Sequence, residues 1–103
     1  MNKIVSLTAT LALAAIASPV FANLELAQKN ACTACHSVDK KVVGPAYKDV
    51  ANKYRGDAKA QAMLEEKVKK GGVGVWGQVP MPPNTQVKDE DIKTLVTWIL
   101  SLK

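Results

Sequence analysis

The chain has 103 residues, 48% of them hydrophobic, and carries 14 Lys+Arg against 9 Asp+Glu, a net charge of +5 at pH 7. With only two cysteines and one histidine it has too few side chains for a disulfide scaffold or a four-ligand Cys/His zinc site. Its lysines are scattered and no nucleic-acid-binding module is recognisable, which sets nucleic acid aside as a partner, whereas a diffuse positive face suits docking on acidic protein surfaces.

Residues 1–22 read as a secretory signal peptide. Lys3 supplies a charged start, Val5 to Ala17 an apolar run, and Val20-Phe21-Ala22 a small-residue cleavage site. The apolar run is shorter than the ~20 residues a membrane-spanning helix needs. An uncleaved anchor is therefore the weaker reading, and a periplasmic destination follows. Residues 23–103 form one small domain with no internal repeat or linker. A domain of that size buries a modest share of its surface and usually needs a staple. Two cysteines cannot supply a disulfide framework, but a covalently held apolar cofactor could serve.

Asn23 can cap a first helix running to about Asn30, with Leu24, Ala27 and Ala31 along one side. The run Cys32-Thr33-Ala34-Cys35-His36 follows directly and is a C-x-x-C-H motif. Two thiols at this spacing can add across the two vinyl groups of one porphyrin, and the adjacent imidazole then stands beneath the iron as proximal ligand. The motif predicts one haem c bound covalently through Cys32 and Cys35, with His36 on the iron. Two alternatives stay open at this point. A thioredoxin-like thiol pair would expect a βαβ setting, and a Cys32–Cys35 disulfide would close a minimal loop and stabilise little.

Gly44-Pro45 breaks the chain, and a short helix is expected from about Ala46 to Tyr54, stopped by Gly56. A third, from about Ala58 to Lys70, places Ala60, Leu64 and Val68 at fourfold spacing and ends at Gly71-Gly72. The stretch from Gly71 to Val87 holds four glycines and three prolines and reads as a loop, long enough to mark function. The last helix carries Asp89, Glu90 and Asp91 in its first turn and a stripe of Ile92, Leu95, Val96, Ile99 and Leu102. Trp98 packs in the core. With no useful strand alternation, the fold class is all-α with one long ordered loop.

The second axial position has four candidates: Met63, Met81, a lysine, or an open site. Met63 lies in a helical pattern and reads as filler. Met81 stands in Pro80-Met81-Pro82-Pro83, where the prolines stiffen the backbone and could project its sulfur inward. A rigid surface turn with an incidental methionine is the plainer alternative. His/Met ligation would raise the potential and fill both axial sites, which describes an electron carrier rather than an enzyme.

Four segments together closely resemble the small bacterial class I cytochromes c of the c-551/c-552 group. They are Cys32–His36, Val43-Gly-Pro-Ala-Tyr-Lys-Asp-Val-Ala51, Gly74-Val-Trp-Gly-Gln-Val-Pro-Met-Pro-Pro-Asn84 and the final helix with Trp98. The resemblance implies about four helices wrapped around one covalent haem. It implies that the Pro45 carbonyl accepts from His36 Nδ1–H, that Trp76 donates to a haem propionate, and that Asn84 bonds near the Met81 sulfur. On the residues alone, Trp76 is a core or rim aromatic and Asn84 a turn residue. One departure is visible: Val87-Lys88-Asp89 lacks the usual Ser-type cap, leaving Asp89 or Thr85 as the expected acceptor.

The function expected is a periplasmic monomer that carries single electrons. Its donor would be a membrane cytochrome complex or dehydrogenase, and its acceptor a terminal oxidase or haem nitrite reductase. Docking at an exposed haem edge would be transient. An open-site enzyme or gas sensor and a thiol–disulfide oxidoreductase are the rival classes.

Overall fold

The computed structural model describes the backbone of residues 19–103 and the side chains of 23–103. The expected signal peptide therefore lies almost wholly outside the described residues. Four α-helices follow in order: α1 (Pro19–Lys29), α2 (Tyr47–Tyr54), α3 (Ala60–Lys70) and α4 (Asp89–Ser101). A single 3-10 turn, Cys32–Ala34, joins α1 to the rest. Among the described residues there is no strand, only two isolated bridges, so the βαβ setting of a thioredoxin-like pair is absent.

The α4 helix organises the core because its apolar stripe faces every other helix. Ile92, Leu95, Val96 and Trp98 are buried. Leu95 and Trp98 join Ala27 of α1 and Tyr47 of α2 in one cluster, with Leu24, Ile99 and Leu102 packed against it. Ile92 and Val96 join Val87 in a second, closed over by Leu64 and Val68 of α3. Fully burying side chains of this size stabilises the fold by about 1.5–3 kcal/mol each. Tyr47 and Trp98 meet edge to face at 5.6 Å between ring centroids, a geometry aromatic quadrupoles favour.

Helix ends depart from expectation in informative ways. Asn23 lies inside α1 and does not cap it. The α3 helix starts at Ala60 rather than Ala58, because Asp57 Oδ1 accepts from the Lys59 amide at 2.9 Å and holds those residues in an Asx turn. Neither Asp89 nor Thr85 caps α4. Lys88 occupies the cap position and no side chain bonds there. The three acidic residues in the first turn offset this through the helix dipole, and Lys69 Nζ lies 3.0 Å from Asp89 Oδ1. Ala31, expected on the apolar side of α1, is exposed and sits in the left-handed region at φ 62°.

A side chain with a Cβ carries strain at such a φ, and glycine does not. Ala31→Gly is therefore expected to raise the stability of the holoprotein by up to about 1 kcal/mol in denaturant unfolding, the relief being partly offset by greater unfolded-chain entropy. A loss of stability would show that Ala31 is not strained.

Candidate haem site

The C-x-x-C-H segment is wound tightly by its own backbone. The Cys35 and His36 amides both donate to Cys32 O, at 3.2 and 3.0 Å. Cys35 O in turn accepts from Val43 and Gly44, at 3.2 and 2.7 Å, folding residues 42–44 back over the turn. Pro45 is thereby brought to His36, whose Nδ1 lies 2.8 Å from the Pro45 carbonyl. An Nδ1–H donated there leaves Nε2 as the free lone pair and fixes the ring's direction. Tyr47 stacks on the imidazole at 5.2 Å with 23° between planes. Gly44 closes another side: a Cβ built on it would lie 2.4 Å from His36 Cε1.

The long loop is pinched at its base. Gly72 N–H donates to Met81 O at 3.0 Å, and Met81 N–H to Gly72 O at 2.8 Å. Gly71, at φ +77°, could take no side chain, since a Cβ would meet Met81 O at 2.4 Å. Beyond Met81, Asn84 donates to Val68 O twice, from its backbone and side chain at 3.0 Å each. The same amide reaches Pro82 O at 3.2 Å. These bonds hold Asn84 three residues beyond Met81, tied to both α3 and the loop. Its donors go to carbonyls, one of which is an orphan of the last turn of α3.

These segments enclose an apolar cavity of about 370 Å³. Cys32, Cys35 and His36 line it from the motif, and Trp76, Met81 and Asn84 from the loop. Leu64, Val68, Leu95 and Val96 extend the apolar core into it. Of the axial candidates, Met81 and one lysine, Lys67, reach the lining, while Met63 does not. Trp76 stands at the rim, 39% exposed. Cys32 and Cys35 are not joined in a disulfide, and before any attachment burial pushes the Cys32 thiol up. Burial likewise pushes the Tyr47 phenol well above its usual range. An apolar cavity with two thiols, one oriented imidazole and a thioether on its walls is a donor set that fits a covalent haem.

The cytochrome c family profile matches residues 24–103, the whole segment that builds this cavity. The chain belongs to the cytochrome c family. It is 66% identical to cytochrome c-551 of Allochromatium vinosum over 84% of this chain and 93% of that one. It is 56% identical to cytochrome c-552 of Nitrosomonas europaea over 80% of each. The crystal structure of the Nitrosomonas cytochrome superposes with a TM-score of 0.76, covering 78% of this chain and 99% of that chain. The class 1 cytochrome MtoD of Sideroxydans lithotrophicus, 43% identical, gives 0.68 over 80% of this chain and 94% of its own. As a small class I cytochrome c of the c-551/c-552 group, the chain is an electron carrier with covalent haem c, bound through Cys32 and Cys35.

Sequence reading alone missed several residues that shape the site. Gly44 read only as a chain breaker, yet it is the surface on which the His36 ring rests. Tyr47 had no role assigned. The pinch at Gly72 and Met81 was signalled only by the glycine pair after α3. Gly44→Ala should force the imidazole or the turn to move, at a cost of about 1–3 kcal/mol. Its expected signature is a lower unfolding midpoint together with an altered haem spectrum. Gly71→Ala should cost at least as much, because a clash with Met81 O adds to an unfavourable φ. A wild-type melting curve for either variant would contradict the geometry described.

Proposed function

We propose that this cytochrome is a periplasmic single-electron carrier in which His36 and Met81 are the two axial ligands of the haem iron. The observation that carries this reading is that both side chains line the same apolar cavity as Cys32 and Cys35. Each is also held by backbone, His36 through Pro45 and Met81 through Gly72. When bound, haem c supplies a one-electron ferric/ferrous couple.

The protein's residues set the terms of that couple. His36 presents Nε2 with its tautomer fixed by the Pro45 carbonyl, which strengthens it as a donor. Met81 offers a soft thioether that favours the ferrous state and so a high potential. Its reciprocal bonds to Gly72 hold the backbone that carries the sulfur. Together the two side chains leave no axial position for a substrate, as a carrier requires. Trp76 at the rim is assigned the propionate contact. Asn84, whose amide bonds Val68 O of α3 and Pro82 O of the loop, is assigned a place near the Met81 sulfur.

Export rests on the signal-like residues 1–22; among the described residues no helix is long and apolar enough to cross a membrane. The exposed Val42, Val43, Val73, Val75 and Val79, with lysines around them, would form a small docking face. Such a face suits brief pairing with an acidic-rimmed donor, a membrane complex or dehydrogenase, and with an oxidase or haem nitrite reductase as acceptor.

The test is an absorption spectrum of the protein matured in a periplasm. A low-spin spectrum with the weak far-red band of thioether-ligated ferric iron is the expected result. A high-spin spectrum would overturn the Met81 assignment and favour an open-site protein. Met81→Ala should lower the midpoint potential and let the reduced protein bind carbon monoxide, whereas an unchanged midpoint and no binding would remove Met81 from the iron.

A further inference from the structure

The tip of the long loop, residues 73–80, is poorly tied to the rest of the molecule. Among the described residues its single hydrogen bond is internal, Gly74 N–H to Gly77 O at 3.0 Å. Gly74 and Gly77 lie at φ +101° and +117° on either side of Val75-Trp76, conformations that suit glycine and that other residues rarely adopt. Three of its valines, Val73, Val75 and Val79, line the haem cavity. One contact does cross from the helices to the tip. Lys53, in the last turn of α2, places Nζ 5.5 Å from the centroid of the Trp76 ring. The same ammonium lies 5.8 Å from the ring of its neighbour Tyr54. Lys53 is exposed and makes no ion pair or hydrogen bond among the described residues, so its charge is directed to these two rings. Tyr54 and Trp76 both line the haem cavity, one from α2 and one from the loop.

We propose that Lys53 is a positioning residue whose ammonium clasps Trp76 to Tyr54, holding the loop tip closed over the mouth of the haem cavity. The clasp needs the cation and not merely the side-chain stem, because the tip has no other polar tie to α2. It fixes the plane of the indole at the rim, and does so whichever side chain occupies the iron's sixth position. Exposed cation–π contacts are weak, so its loss shifts the closed–open balance of the tip by about two- to fivefold, without unfolding the domain.

Limited chymotrypsin cleavage of the holoprotein after Trp76, followed by mass spectrometry, reads the open population directly when opening is fast. Lys53→Met keeps most of the stem and removes the charge, and Lys53→Arg keeps the charge. Cleavage after Trp76 is expected to accelerate about two- to fivefold in Lys53→Met and to return near the wild-type rate in Lys53→Arg. Cleavage after buried Trp98 should stay unchanged in both. As a second readout, the backbone order parameters of residues 74–77 in the reduced holoprotein should fall in Lys53→Met alone. Equal cleavage at Trp76 in wild type and Lys53→Met would overturn the proposal. So would acceleration in both variants, or a parallel rise at Trp98, which would mark packing or global stability as the cause.

Discussion

Two backbone hydrogen bonds between Gly72 and Met81 decide whether the haem cavity has a thioether on its wall. They close the long loop at its base, so that a segment rich in glycine and proline, with little structure of its own, becomes a wall of the cavity. The bonds form only because the chain on one side has no side chain to obstruct them. Gly71 lets Met81 O approach to a distance any Cβ would forbid. Without that approach Met81 would belong to a surface turn, and the cavity would have the motif's residues on its lining but not the thioether. The helices serve this closure: α3 ends at the pinch, and Val68 O receives both donors of Asn84.

The same economy appears around His36. Its ring is held by a carbonyl, a glycine and an aromatic face, none of which carries charge. In a low-dielectric cavity this matters, since a charged partner would be costly to bury and would tie orientation to pH. Buried polar and charged side chains are absent from the core of the described residues. Electrostatics is instead confined to the surface. There, exposed pairs such as Lys48–Asp39 and Lys69–Asp89 contribute little to stability and leave a lysine-rich exterior for encounter.

Much of this was legible from residue order, for a physical reason: the legible parts depend on near neighbours. The 3.6-residue stripe of α4 marks its buried face, and the thiol–thiol–imidazole spacing marks the cofactor, because both follow from local geometry. The prolines around Met81 marked it out in the same way. What was not legible depends on residues far apart. Asn84 could be assigned to a sulfur or to a turn, and only the fold shows that α3 ends within reach of its amide. Gly44 reads as a breaker until the chain doubles back and sets it against a ring eight positions earlier. The caps failed for a related reason. Packing of α4 against three helices stabilises it enough that Lys88 can stand where a Ser would be expected, with three carboxylates in the first turn meeting the dipole.

The contrast between the two ends of the loop shows how rigidity is distributed. At the base, close backbone approach and paired hydrogen bonds fix the backbone of Met81, the proposed axial ligand. At the tip, a glycine-rich segment has one internal backbone bond and is otherwise restrained by side-chain contacts. A carrier must meet structurally different donors and acceptors through one small face, so an adaptable rim is compatible with fast exchange. Its ligands must barely move, since any rearrangement adds to the cost of each electron. A backbone pinch at Met81, the proposed ligand, serves both demands, because the two Gly72–Met81 bonds hold its backbone while residues 73–80 adjust.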